Sequence, residues 1–319
     1  FPYDFADVKG QESVKRALEV AAAGGHNLIM IGAPGSGKSM MAKRLPGILP
    51  PLSLGESLET TKIHSVAGKL GKDSSRPFRS PHHTISQVAM VGGGANPQPG
   101  EISLAHHGVL FLDELPEFNR SVLEVLRQPL EDRHISISRA KYSLDYPASF
   151  MLVASMNPCP CGYYTHPTKA CVCNPGQVQR YLNRISGPLL DRIDIQIEIV
   201  PVPFEKISEK QQAESSASIR ERVICARKMQ EKRFANHPGV YCNAQMESRL
   251  LHLYAEPDEQ GLNLLRNAMT RLNLSARAYD RILKVARTIA DLDHSEQVTS
   301  IHLAEAISYR NLDRESWAG

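Results

Sequence analysis

The sequence predicts an α/β fold in two parts: a mostly parallel sheet flanked by helices, then a small all-helical domain. Three observations predict it. Residues 1–203 alternate short apolar runs with helical stretches, the pattern of parallel strands joined by crossover helices. From residue 204 to 319 the apolar spacing is helical throughout. Between an apolar run and a helix start, Gly32-Ala33-Pro34-Gly35-Ser36-Gly37-Lys38-Ser39 fills every fixed position of the phosphate-binding pattern G-x-x-x-x-G-K-[ST].

Taken along the chain, Leu28 to Ile31 reads as a buried strand, and Met40 to Leu45 as the opening of a helix. Further strands are expected at Val109 to Leu112, Phe150 to Ser155 and Ile193 to Ile199. Ile135-Ser136-Ile137-Ser138 alternates like a strand, and residues 134–149 are expected to form a hairpin with Arg139-Ala140-Lys141 near its tip. Pro201-Val202-Pro203 is a stiff hinge, because each proline fixes its own φ and biases the residue before it away from helix. Four helices are expected after it. Their stripes are Ile219/Val223/Ala226/Gln230, Leu262/Leu265/Met269/Leu272 and Ala278/Ile282/Val285/Ile289/Leu292, with a last helix from Ile301 to Tyr309. Ser275 and Thr299 are the expected N-caps of the last two.

Composition narrows the classes. With 319 residues, 42% apolar and 22% charged, the chain has the make-up of a soluble globular protein. No apolar run approaches the roughly 20 residues that span a bilayer, and the N-terminus lacks a secretion signal, so a cytoplasmic protein with no membrane contact is expected. A net charge of +3 is too small to argue for nucleic acid alone. The chain starts at Phe1, with the phosphate loop about thirty residues in, so we expect a piece of a longer protein. Six cysteines without a secretion signal point to metal ligation or burial rather than disulfides.

The phosphate loop carries the first chemistry. Its glycines let backbone N–H groups converge on an anion, and the following helix adds its positive end. Gly32 to Ser39 with Met40 form the expected cradle; Lys38 reaches the β- and γ-phosphates of ATP, and Ser39 sits on Mg²⁺. Val109-Leu110-Phe111-Leu112-Asp113-Glu114 is an apolar run ending in two acids. Asp113 is expected in the Mg²⁺ shell, with Glu114 polarising the attacking water. Phe150 to Asn157 is another apolar run, ending in an amide that would meet the γ-phosphate. Arg192, after Gly187-Pro188-Leu189-Leu190-Asp191, is the candidate for stabilising transition-state charge in a neighbouring subunit, with Arg184 as its rival. Arg277, in Ser275-Ala276-Arg277, is expected to project from its helix toward the phosphates.

The combination resembles AAA+ P-loop NTPases and, more narrowly, the YifB/ComM family of magnesium-chelatase-like ATPases. The resemblance rests on Phe5 to Gln11, the phosphate loop, Arg76 to His83, Val91 to Gly94, Pro99 to His106, Phe111 to Phe118, Ser186 to Asp194 and Ser275 to Leu292. It implies an AAA+ domain with a helical lid and a ring, expected as a hexamer, with ATP at subunit interfaces and Arg192 acting in trans. Gly10 and Gln11 would lie near the adenine. It further implies ATP-driven DNA branch migration for the ComM branch and Mg²⁺ insertion into a porphyrin for the chelatase branch. Members of the family usually carry a Lon-protease-like domain ahead of this region.

Two insertions would face the pore of such a ring. Residues 62–100 carry Lys62, Lys69, Lys72, Arg76, Arg79, His82 and His83 against a single acid within the segment, Asp73. With Arg139 and Lys141 of the hairpin, they suit salt-dependent contact with DNA phosphates. The alternative is a solvated charged face and a protein substrate. Finally, Cys159-Pro160-Cys161 and Cys171-Val172-Cys173 put four thiols within fifteen residues, enough to close a tetrahedral Zn²⁺ site, with His166 as a substitute ligand. The pairs His82/His83 and His106/His107 are expected to be structural or pore residues rather than a second metal site.

Overall fold

The computed structural model describes residues 1–68, 75–94, 98–139, 142–164 and 166–310; of residues 138, 139 and 142 it describes the backbone. The strands are β1 (Leu28–Gly32), β2 (Phe78–Arg79), β3 (Gly92–Gly93), β4 (Gln98–Pro99), β5 (Val109–Leu112), β6 (His134–Arg139), β7 (Tyr142–Pro147), β8 (Met151–Met156) and β9 (Ile195–Ile199). Five of them form a parallel sheet in the order β2-β5-β8-β1-β9. Every residue of β1, β5 and β8 is buried, which is why these runs are apolar without alternation. β1 lies inside the sheet, with Ile31 opposite Met156 and Gly32 opposite Ile199. Whatever follows β1 is therefore flanked by the ends of β8 and β9.

The strands at Val109–Leu112 and Leu28–Gly32 fall where their apolar runs place them. β8 starts one residue later than expected, and β9 starts at Ile195 because Asp194 is drawn into contacts with His26 and Arg281. β2 escapes sequence reading, since two residues show no periodicity. The hairpin is present: β6 and β7 pair antiparallel from His134–Pro147 to Arg139–Tyr142, with Ile135 and Ile137 turned inward. Its tip, Ala140 and Lys141, lies outside the described residues, as does the Arg139 side chain.

Alternate residues of β1 feed two apolar clusters. Ile29 and Ile31 pack with Leu110, Leu152, Phe118, Ile135 and Leu189 on one face. Leu28 and Met30 pack on the other with Phe5, Leu18, Phe111 and Val153, together with Ile219, Val223, Ile282, Val285 and Ile289. The helices beyond residue 203 thus complete the core under helix Glu12–Gly24. Each fully buried Leu or Ile there contributes about 1.5–3 kcal/mol.

The four expected helices appear as Ser216–Arg233, Glu259–Arg271, Ala276–Leu292 and Ser300–Ser308, and Ser275 caps its helix by accepting from the Ala278 N–H. The count needs correction. Phe204–Ile207 and Ser248–Tyr254 are further helices, the second burying Leu250 and Leu251; four and seven residues are too few for a periodic signal. In the helix Glu259–Arg271 the buried face is Gly261, Leu265 and Ala268, with Met269 and Leu272 packing at its edge.

Candidate functional site

The phosphate loop leaves β1 at Gly32, where a side chain has no room: a Cβ would lie 2.5 Å from the Ile199 carbonyl oxygen. Gly35 and Gly37 take φ of 76° and 101°, a region open to glycine. Among the described residues the N–H groups of Gly35 and Gly37 have no partner, and the buried Ser36 hydroxyl has none. Buried donors without acceptors are costly. The cradle fits an anion, and the donor set suits nucleotide phosphates.

Lys38 opens the helix Lys38–Arg44 and folds back over the loop. Its Nζ donates to the carbonyls of Gly32 (2.5 Å) and Ala33 (2.9 Å) and to Asn157 Oδ1 (3.1 Å). Burial pushes this ammonium below its usual range, while Asp113 and Glu114 pull it back up. Ser39 Oγ donates to Asp113 Oδ2 at 2.9 Å, leaving a hydroxyl and a carboxylate side by side, the oxygen set a hard cation takes. The Ser155 hydroxyl donates to the other Asp113 oxygen and accepts the Glu114 N–H at 3.2 Å. Sequence reading missed Ser155; its signal was one hydroxyl inside an apolar run. Glu114 sits at φ 54°, turned toward a cleft of about 640 Å³ that it lines with Asn157, Tyr181 and Arg184. Gln11 donates to the Val200 carbonyl at 2.9 Å and reaches the Ser36 carbonyl at 3.5 Å, so it stands beside the loop; Gly10 abuts Val202. Met40 is exposed next to Gly37.

The cysteines come together directly after this site. The sulfurs of Cys159, Cys161, Cys171 and Cys173 all lie within 4.8 Å of one another. Sγ–Sγ separations of 3.4 Å (Cys159–Cys161), 3.8 Å (Cys159–Cys171) and 3.6 Å (Cys161–Cys171) lie at or just below the roughly 3.8 Å edge of a tetrahedron with Zn–S bonds of about 2.3 Å. Backbone N–H groups of Gly162 and Tyr164 point at Cys159 Sγ, and the Tyr163 N–H pulls the Cys161 thiol down to about 6. The donors fit a thiolate-bound metal. His166 stands outside the cluster: its Nδ1 accepts from the N–H groups of Thr168 and Lys169.

A family model described as magnesium chelatase, subunit ChlI, matches residues 4–207, and one for the ChlI C-terminal region matches residues 213–310. The chain is 50% identical to YifB of Salmonella typhimurium over 98% of its own length and 61% of that protein. It is 47% identical to competence protein ComM of Haemophilus influenzae, again over 98% of this chain, and 60% of that protein. The chain belongs to the YifB/ComM family of magnesium-chelatase-like AAA+ proteins. The magnesium-chelatase subunit ChlI of Trieres chinensis is more distant, at 22% identity over 88% of this chain and 84% of that protein. The chain spans about three fifths of the curated relatives it matches most strongly.

In this YifB/ComM member, Arg192 and Arg277 are not brought to the phosphate loop of their own chain. Arg192 is buried, its Nε 2.7 Å from Glu131 and one terminal nitrogen donating to the Pro188 carbonyl. Arg277 pairs with Asp191 at 3.5 Å, so both arginines sit around residue 191, just ahead of β9. Arg184 instead lies on the Glu114 side, 3.8 Å from Glu117.

The basic insertion is corrected by its partners. Arg76 forms a two-pronged pair with Glu56 (2.7 and 2.9 Å) and donates to the Pro50 and His107 carbonyls, so it is a buried brace and not a pore cation. Arg79 is likewise held by Glu101 at 2.6 and 2.8 Å. Composition cannot show this, because both carboxylates lie outside the cluster of cations. Lys62 is exposed; Lys69, Lys72 and Asp73 lie outside the described residues.

His106 and His107 converge with Glu59, at 3.1 and 3.3 Å. His106 Nδ1 accepts the Ser149 N–H at 2.9 Å, which leaves the proton on Nε2, where it donates to Glu59. A nitrogen bearing that proton has no lone pair for a metal. The expectation of a structural role for this pair agrees with that geometry. Among the described residues no helix is long and apolar enough to cross a membrane.

Proposed function

We propose that this chain is the ATP-hydrolysing core of a cytoplasmic motor that assembles as a hexameric ring and acts on DNA. The observation that carries it is the convergence of Lys38, Ser39, Asp113 and Asn157 within hydrogen-bond distance, beneath a loop of unpartnered N–H groups. ATP phosphates replace the carbonyls that Lys38 now contacts. Ser39 and Asp113 would hold Mg²⁺, which would supply neutralisation of phosphate charge. Glu114 orients the attacking water, and Asn157 meets the γ-phosphate. Gly10 and Gln11 border the adenine. Arg192 and Arg277, on the side away from their own loop, complete the site of the neighbouring subunit. The four cysteines hold a structural Zn²⁺.

The DNA reading draws support from the likeness to a competence protein and from the hairpin of β6 and β7. A second reading, remodelling of a protein partner, is favoured by the ion pairs that tie up Arg76 and Arg79. ATPase assays with and without forked DNA separate the two. We expect severalfold stimulation at low salt that fades as salt rises, because counterion release drives phosphate contact. A rate indifferent to DNA assigns the motor to a protein substrate.

A further inference from the structure

A cavity of about 570 Å³ opens at the N-terminal ends of the strands, where Asn27, Gly108 and Asp194 precede β1, β5 and β9. It lies at the opposite edge of the sheet from the phosphate loop. One wall is the helix Ala276–Leu292, which presents Arg277, Arg281 and Lys284 at helical spacing. Arg227, from the helix Ser216–Arg233, and Arg133, just after the helix Arg127–Asp132, line the same space.

The cations divide by their partners. Arg277 pairs with Asp191 and Arg281 with Asp194, each at 3.5 Å. Among the described residues, no carboxylate comes within ion-pair distance of Arg133, Arg227 or Lys284. Arg133 donates to Ser149 Oγ (3.1 Å) and the Gly239 carbonyl (2.7 Å); Arg227 donates to the carbonyls of Ala23 (2.7 Å) and Ala22 (3.0 Å). In each, Nη1 is uncommitted among the described residues, and Lys284 Nζ makes no hydrogen bond there. Arg227 is buried and the other two are partly buried.

Such an arrangement is costly, because a charge removed from water needs a counter-charge or a full set of acceptors. Burial pushes all three groups below their usual ranges, and Arg281 and Arg133 repel Lys284 further, against the pull of Asp194 and Asp280. The acids of the lining leave these three cations without an ion-pair partner among the described residues. Glu56 is spent on Arg76, Glu131 on Arg192 and Asp194 on Arg281; Asp280, one turn before Lys284 on the same helix, attracts it from beyond ion-pair distance, and Asp132 and Glu247 are exposed at the rim.

We propose that this cavity is a second anion site, binding a phosphate-class oxyanion between Lys284, Arg133 and Arg227. Guanidinium forks match the oxygens of a tetrahedral anion, and an ammonium adds a point charge. The volume exceeds that of a bare ion, so free phosphate and the phosphoryl end of a small nucleotide share the required chemistry.

The test uses the full chain carrying Lys38→Ala, which weakens the phosphate loop as a competing site. Inorganic phosphate should raise its thermal midpoint saturably, beyond chloride at matched ionic strength. Adding Lys284→Met should weaken phosphate binding at least tenfold by calorimetry, whereas Lys284→Arg, which keeps the charge, should retain it. In phosphate-free buffer Lys284→Met should be at least as stable as its parent, since an uncompensated charge is gone, so misfolding does not mask the result. ADP titrated against the same Lys38→Ala protein, with and without Lys284→Met, distinguishes the sources: binding tighter than phosphate that is lost with Lys284→Met assigns a nucleotide phosphoryl, and ADP binding that ignores Lys284→Met while phosphate binding needs Lys284 assigns the free ion. A phosphate response equal to that of chloride, or unchanged by Lys284→Met, overturns the proposal.

Discussion

Ser155 has no reactive chemistry in this site, yet its hydroxyl fixes two acids at once. It donates to Asp113 and accepts the Glu114 N–H, so the left-handed turn at Glu114 is held in place. Replacing Glu114 with Gln keeps that turn and removes only the base. We therefore expect Glu114→Gln to bind ATP normally while turnover falls at least a hundredfold, measured by single-turnover hydrolysis beside nucleotide binding. Arg76 makes the opposite lesson. Its sequence neighbours suggest a cation for a pore, but Glu56 and the carbonyls of Pro50, Pro51 and His107 enclose it. Arg76→Ala leaves Glu56 buried and uncompensated, so chemical denaturation should show a loss of about 3–5 kcal/mol. A loss below about 1 kcal/mol would return Arg76 to the class of solvated surface charges.

At the scale of elements, the cysteine loop abuts the phosphate loop. Gly162 lies against the phosphate loop at φ 89°; a Cβ there would come within 2.4 Å of Pro34 Cδ. A loop stapled by metal would hold that contact rigid. We expect one Zn²⁺ per chain by elemental analysis, and a loss of thermal stability on chelation that is absent in Cys171→Ala. Protein that purifies metal-free with unchanged stability would contradict the zinc reading. The spacing of the cysteines suggested the cluster, because two close pairs can converge wherever the chain turns back between them. The helix Ser248–Tyr254 and strand β2 gave no comparable signal, being shorter than the window over which a period shows.

The molecule as a whole is held by contacts between residues on either side of Pro201-Val202-Pro203. Tyr241 donates to Glu59 at 2.7 Å, and Gln245 to Ser149 at 2.8 Å, so residues beyond Pro203 clasp the His106–Glu59 group. Burial is the main reason His106 is pushed down to about 4, partly opposed by Glu59. The folded protein then refuses a proton that the unfolded chain takes near pH 6.5. Stability is complete above that range and falls as the pH drops toward 4. Between pH 6.5 and 5 the loss from this group should reach about 2 kcal/mol at most, read by denaturant titration, and His106→Gln should flatten it. Glu56, held down to about 2 against burial by Arg76, adds a further loss at lower pH, as the carboxyls of the unfolded chain take up protons.

The amino-acid sequence by itself determined the α/β class, the strands at Leu28 and Val109, the phosphate loop and its acids, and the family. These are local patterns: apolar runs, glycines with required backbone angles, and residues adjacent along the chain. Only the tertiary structure decided that Ser155 joins the site and that Arg76 and Arg79 are braces. It also decided that Arg192 and Arg277 face away from their own loop, and that three cations share a cavity with no ion-pair partner among the described residues. Each of those depends on a partner from a distant segment, and pairing across the fold is set by packing, which no spacing along the chain encodes.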